Sequence, residues 1–231
     1  MIIAIDGPSG AGKSTLGKML AKDLNLLYLD TGAMYRAVGL AVFESGKDFY
    51  NPETVIEIAR HSKIELVGDP DSLQIKLDGR DVSEAIRAPE VGQMASIVST
   101  VSEVRKILVE HQRTLGRDSE VGAVLDGRDI GTVVFPNADL KFFLTATPEA
   151  RARRRYEEDK QRGRVTTYEE TLSEINLRDE RDVSREDSPL SIAEGAVVID
   201  TSELDLHEVY EQMLIIVREK RNETAQIQLQ K

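Results

Sequence analysis

The amino-acid sequence predicts an α/β chain built on a central parallel five-stranded sheet flanked by helices. Two observations carry that expectation. Short apolar runs of the kind found in buried parallel strands recur at 2–5, 26–29, 123–126, 140–144 and 196–200, and segments with helical spacing separate them. The length, 231 residues, allows one full core with a small appended subdomain.

Taken in order, Ile2, Ile3, Ala4 and Ile5 form the first strand, and a glycine-rich turn leads into a helix from Ser14 to about Leu24. Leu26 to Leu29 reads as the second strand. Thr31 is placed to cap the next helix, where Met34, Val38 and Val42 keep a four-residue spacing. From about Lys63 to Val82 the character changes. IELVG and LQIKL are strand-like runs joined by the turn former DPDS, which predicts a small antiparallel insertion near 63–82. Residues 90–115 return to helical periodicity. AVLD at 123–126 and LKFFL at 140–144 follow, each with polar groups at its carboxyl end. Charged helices are expected over about 149–162 and 168–184, then the strand AVVID at 196–200 and an amphipathic helix over 205–220. The polar stretch 222–231 is expected to be a disordered tail.

Composition narrows the function classes. Cysteine is absent, so disulfides, thiolate metal sites and cysteine nucleophiles are excluded. The start, MIIAIDGPSG, has neither basic leader nor long apolar core, and no run of eighteen apolar residues occurs. A cytoplasmic protein without a membrane span is expected. Lys and Arg total 30 against 41 Asp and Glu, a net charge of -11. A field of that sign repels nucleic acid and anionic lipid. Yet nine arginines crowd between 151 and 185, which suits a pocket for a small anion. His61, His111 and His207 lie outside every motif.

Gly7-Pro8-Ser9-Gly10-Ala11-Gly12-Lys13-Ser14 matches G-x-x-x-x-G-K-[ST] and stands between a buried-type strand and a helix. A triphosphate needs several amide N–H groups pointing inward, and glycines let the backbone wrap that closely. The helix beginning near Lys13 aims its positive end at the same phosphates. Lys13 is the candidate bridge between the β- and γ-phosphates of ATP, and the Ser14 hydroxyl the candidate Mg²⁺ ligand. No N-K-x-D segment for guanine occurs, and the strand at 123–126 ends in Asp126-Gly127-Arg128-Asp129 rather than in adjacent acids. Both features point to a small P-loop kinase.

Acceptor-side candidates follow two strands. In Leu29-Asp30-Thr31-Gly32-Ala33-Met34-Tyr35-Arg36, Thr31 and Arg36 are placed to face a phosphate. At the carboxyl end of a central strand, where open α/β sheets bind ligands, Asp126 is placed to orient the magnesium shell, Arg128 to grip a phosphate and Asp129 to meet a base. In ARARRRYEED at 150–159, mobile arginines can close over ATP and stabilise the transferring phosphoryl group. RDERDVSR at 178–185 sets Arg178, Asp182 and Arg185 on one helix face.

Together these segments resemble the bacterial cytidylate kinase family. IDGPSGAGKST, LDTGAMYR, LDGRDIGTVVFP and RDERDVSR carry the likeness over nearly the whole length. The resemblance implies one kinase domain with a monophosphate-binding region over about 31–115, the antiparallel insertion of the long form, and a helical lid over about 149–166. It implies Gly7 through Thr15 as the ATP loop. Thr31, Arg36 and Arg128 are similar to residues that hold the acceptor phosphate, and Ser96, Arg105 and Asp129 to those that read the cytosine edge. Arg178, Asp182 and Arg185 correspond to ribose and phosphate contacts, and Arg154 falls in the lid cluster. Lys13, Arg128 and Arg154 are the implied catalytic residues, with Ser14 and Asp126 on Mg²⁺ mostly through water. The expected reaction moves the γ-phosphate of ATP to CMP or dCMP, in a monomer with no nucleic-acid partner. A P-loop kinase for another small acceptor, or a nucleotide-binding module without turnover, are the alternatives.

Overall fold

The computed structural model describes residues 1–229. Five parallel strands make the central sheet: β1 (Ile2–Asp6), β2 (Leu27–Asp30), β6 (Ala123–Gly127), β7 (Leu140–Thr145) and β8 (Val197–Asp200), in the spatial order β2-β6-β1-β7-β8. Ile3, Ala4, Ile5, Val124, Leu125 and Leu144 are fully buried, the burial that continuous apolar runs need on both faces. Parallel register brings the carboxyl ends level. Asp30 stands opposite Asp126 and Asp6 opposite Gly127.

Helices α1 (Lys13–Leu24) and α8 (Leu206–Leu229) cover one face. Leu16, Leu20 and Ala21 of α1 share a core with Ile3, Ile5, Phe142, Val209, Met213 and Val217. Residues 222–229, expected as a disordered tail, continue α8. No glycine or proline interrupts the stretch, and Glu223 and Gln226 are good helix formers. Residues 230 and 231 of that expected tail lie outside the described residues.

Between β2 and β6 the chain builds a second unit with its own core. It comprises α2 (Thr31–Ser45), α3 (Pro52–His61), the antiparallel strands β3 (Ile64–Val67), β4 (Gln74–Leu77) and β5 (Arg80–Asp81), α4 (Pro89–Val98) and α5 (Ser102–Arg117). Met34, Val38, Val55, Ile64, Leu77, Val98, Val104 and Leu108 pack there, and fully burying each such side chain contributes about 1.5–3 kcal/mol. The insertion is a three-stranded sheet; the short β5 joins the expected hairpin through Lys76–Asp81 and Leu77–Arg80. The helical stretch expected over 90–115 is two helices, broken at residues 99–101. Helices α6 (Pro148–Gln161) and α7 (Tyr168–Ser184) close the remaining side. Thr147 caps α6 with Pro148 at its start, and Thr167 with Glu170 forms a capping box for α7.

Candidate active site

A cleft of about 2020 Å³ runs between the sheet's carboxyl ends, the second unit, α6 and α7. The glycine-rich loop forms its floor. Gly7 holds a φ of +146°, and a Cβ there would lie 1.9 Å from the Leu144 carbonyl oxygen, so no other residue fits. Lys13 folds back and donates from Nζ to the Pro8 carbonyl at 2.7 Å. Burial, then the charge of Arg128, pull its ammonium well below the ordinary lysine value. Ser14 Oγ donates to Asp126 Oδ2 at 2.6 Å, and Tyr28 Oη to Asp126 Oδ1 at 3.0 Å. Burial and the neighbouring Asp30 push the Asp126 carboxyl up to about 6.

A hydroxyl and a carboxylate side by side are the hard oxygen donors that suit Mg²⁺. Among the described residues no cluster of three or more His, Asp or Glu side chains forms a dedicated cage. That donor set fits an ion carried mainly by a nucleotide's phosphates and water.

Thr31 is not the cap of α2. Asp30 takes that role, accepting from the Ala33 N–H at 2.7 Å, and a carboxylate immediately before a helix competes well for those amides. Thr31, 3% exposed, instead donates to the Asp126 carbonyl at 2.7 Å and so ties α2 to β6. Arg36 reaches back to Asp30 at 3.2 Å. Where the second unit meets the segment after β6, Arg105 of α5 and Asp129 form an enclosed ion pair. Arg105 also donates to the Ser99 carbonyl and lies 5.4 Å from the centre of the Tyr35 ring.

On the other wall, Arg128 donates from Nε to Asp182 at 2.7 Å. Burial pushes the Asp182 carboxyl up, but Arg128 and Arg178 pull harder and leave it below the usual range. Arg178 is brought down to about 10 by burial and by Arg128. Arg185 does not share the α7 face. It follows the helix as the C-cap residue in extended backbone, donating to the Ser188 carbonyl at 2.6 Å while still 3.7 Å from Asp182. Arg154 donates to Thr201 through both the hydroxyl and the carbonyl.

Apart from Gly7 and Pro8, the expected site residues line one cleft, and several are poised for a guest. Ser96 Oγ, Tyr35 Oη, Arg36 Nε, Arg105 Nε, Arg178 Nε and Arg185 Nη2 are buried atoms without a hydrogen-bond partner among the described residues. Such atoms cost free energy unless something meets them.

Other residues here were missed from sequence. Arg151, 2% exposed, makes a bidentate pair with Asp179 of α7 and donates to the Ser9 and Ala146 carbonyls, locking the phosphate loop to α6 and α7. Nothing in ARARRR sets it apart from its neighbours. Asp30 did carry a signal, as an acid directly before a helix. Tyr35 stands inside LDTGAMYR but had no polar partner to suggest a role.

Comparison with known proteins gives the geometry a lineage. A family profile described as cytidylate kinase matches residues 3–219. The cytidylate kinase of Caldanaerobacter subterraneus subsp. tengcongensis is 52% identical over 216 residues, covering 94% of this chain and 94% of that protein. That of Clostridioides difficile is 48% identical over 214 residues, covering 93% and 96%. An uncharacterized protein from Eubacterium ventriosum has a solved structure that aligns over 95% of this chain and 98% of its own, with a TM-score of 0.52. At 14% identity that likeness concerns the fold alone. With the profile running almost end to end and relatives near half identity over nearly their whole length, the chain belongs to the cytidylate kinase family.

Proposed function

We propose that the chain transfers the γ-phosphate of ATP to CMP or dCMP, giving ADP and CDP or dCDP. The row of buried, unpartnered donors lining the same cleft as the phosphate loop carries this reading. Arginine nitrogens there suit an acceptor phosphate and ribose, while the Ser96 hydroxyl and the Arg105–Asp129 pair, which line the same cleft, suit a base edge.

The chemistry asks little of the protein beyond positioning and charge. The acceptor phosphate has a second pKa of about 6, so at neutral pH it is already a dianionic nucleophile and no general base is assigned. Lys13 exchanges the Pro8 carbonyl for the β- and γ-phosphate oxygens of ATP. The glycine loop amides and the α1 amino terminus hold the donor in line. Thr31, Arg36 and Arg128 orient the acceptor phosphate, and Arg178, Asp182 and Arg185 hold its ribose and phosphate. Arg154 must leave Thr201 to reach the transferring group, with the later turns of α6, beyond the Arg151 anchor, and the turn at 162–167 acting as a lid. Mg²⁺, held beside Ser14 and Asp126 with ATP, neutralises charge on the phosphates when bound. An Asp129 carboxylate accepts from the cytosine N4 amine while arginine donates to the ring; uracil presents a carbonyl where the amine would be. We take the enzyme to act on free nucleotides as a cytoplasmic monomer, with no nucleic-acid or membrane partner.

Coupled ADP release with CMP, dCMP, UMP, AMP and GMP offered in parallel tests this. Turnover concentrated on CMP and dCMP is expected. Preference for another monophosphate overturns the base assignment, and silence with all five overturns the reaction.

A further inference from the structure

Asp6, the last residue of β1, has no part in the assignments above. It is nevertheless among the most enclosed charges in the chain, 2% exposed. Its carboxylate oxygens accept the backbone N–H groups of Ile130 at 2.8 Å and Gly131 at 2.7 Å. These amides open the helical turn 130–134, and the preceding residue, Asp129, makes no side-chain cap. Amides at the start of a helical turn need an acceptor, and Asp6 supplies it from a neighbouring strand. From the other side, the N–H groups of Val133 and Val134 donate to the Asp129 carbonyl at 2.8 and 3.1 Å. The backbone leaving Asp129 is therefore pinned twice, through its own carbonyl and through the two amides that follow it. The fit is close: a Cβ at Gly131 would stand 3.3 Å from Asp6 Oδ2 and 3.1 Å from Ala193 Cβ.

We propose that Asp6 is a positioning residue that sets the Asp129 carboxylate against Arg105 and thereby governs discrimination among nucleobases. This rests on the reading of Asp129 as the base-facing residue. Asp6→Asn keeps the size but replaces one acceptor with an NH₂ that meets a backbone N–H, so one amide loses its partner and the turn shifts. Asp129 shifts with it. Lys13, Ser14 and Asp126 make their hydrogen bonds elsewhere, so the variant leaves those donor-side bonds in place and changes only the charge that Lys13 senses through space.

The test compares wild type, Asp6→Asn and Gly131→Ala; the second variant presses on the same contact from the opposite side and serves if the first does not fold. The ratio of kcat/KM for the preferred monophosphate over the next best is expected to fall about tenfold, with KM for ATP held within about twofold. Amide exchange at residues 130 and 131 is expected to speed up about tenfold. An equal loss on every acceptor and on ATP, with the ratio unchanged, marks a merely structural group and overturns the proposal. Unchanged exchange at both amides overturns it whatever the substrate. If wild type prefers a monophosphate other than CMP, only the cytosine reading fails. The ratio is then taken on that substrate, and the proposal stands or falls by the same fall.

Discussion

Replacing Asp129 with alanine separates two consequences of one carboxylate. The Asp129 and Arg105 side chains are only 7% and 4% exposed, and removing one member of such a pair strands the other charge, at a cost of about 3–5 kcal/mol. Arg105 keeps its bond to the Ser99 carbonyl at 3.2 Å and its approach to the Tyr35 ring, which sets the expectation at the lower end, about 3 kcal/mol. In a chain of this length that lowers Tm by about 6–12 °C. The catalytic consequence is separate. Loss of the acceptor for the cytosine amine leaves a polar group unmatched, worth about 1–3 kcal/mol, so kcat/KM for CMP falls about 5- to 150-fold. UMP has no amine to lose and is expected to fall less, while KM for ATP stays near wild type. Thermal denaturation and a coupled assay run below the variant's Tm read both. Equal losses for CMP and UMP refute the base-reading role. An unchanged Tm refutes the claim that the pair is buried and mutually dependent.

Three further outcomes are expected. Gly7→Ala forces a Cβ against the Leu144 carbonyl at a φ of +146°, so calorimetric ATP affinity is expected to be lost with a destabilisation of about 3 kcal/mol or more; retained affinity contradicts the fit of the loop. Arg151→Ala breaks the bidentate pair with Asp179 and frees the Ser9 carbonyl, so Tm is expected to fall by about 6 °C or more with a raised KM for ATP. A Tm change under about 2 °C contradicts the locking role. Burial pushes the Asp6 carboxyl up from 3.8 to about 6, so the folded state holds that proton more tightly than the unfolded chain. Its contribution to stability is full below pH 3.8 and lost as pH rises through about 6, about 3 kcal/mol in all. Urea melts of wild type and Asp6→Asn should therefore show wild type losing ground steadily to the variant over that interval, and a pH-independent difference contradicts it.

What was legible in the sequence was mostly local. The strand, glycine loop and helix over 2–24 announce themselves because turn geometry and apolar spacing lie within a few residues. The limits of α6 and α7 follow from Thr147-Pro148 and from the capping box at Thr167. Helix α3 was missed although Asn51 followed by Pro52 is a start signal, and Asn51 does accept from the Glu53 and Thr54 amides. β5 is two residues long and exists only through its register with β4, so no period could reveal it. The site divides in the same way. Lys13, Ser14, Thr31 and Arg128 sit in motifs, whereas the Asp6 contact spans 125 positions and the Arg151–Asp179 pair 28. Such pairs are chosen by burial, which a run of arginines does not disclose. Arg185 was set on the α7 face by spacing alone, but the helix ends one residue before it.

The measurement that bears most directly on the central claim is ³¹P NMR of the purified chain with ATP, Mg²⁺ and CMP. The account predicts that the γ-phosphorus signal of ATP decays while the β-phosphorus of CDP and that of ADP rise in equal amounts, and that Lys13→Ala stops all three changes. Release of inorganic phosphate without CDP, or CDP formation that survives Lys13→Ala, would contradict it.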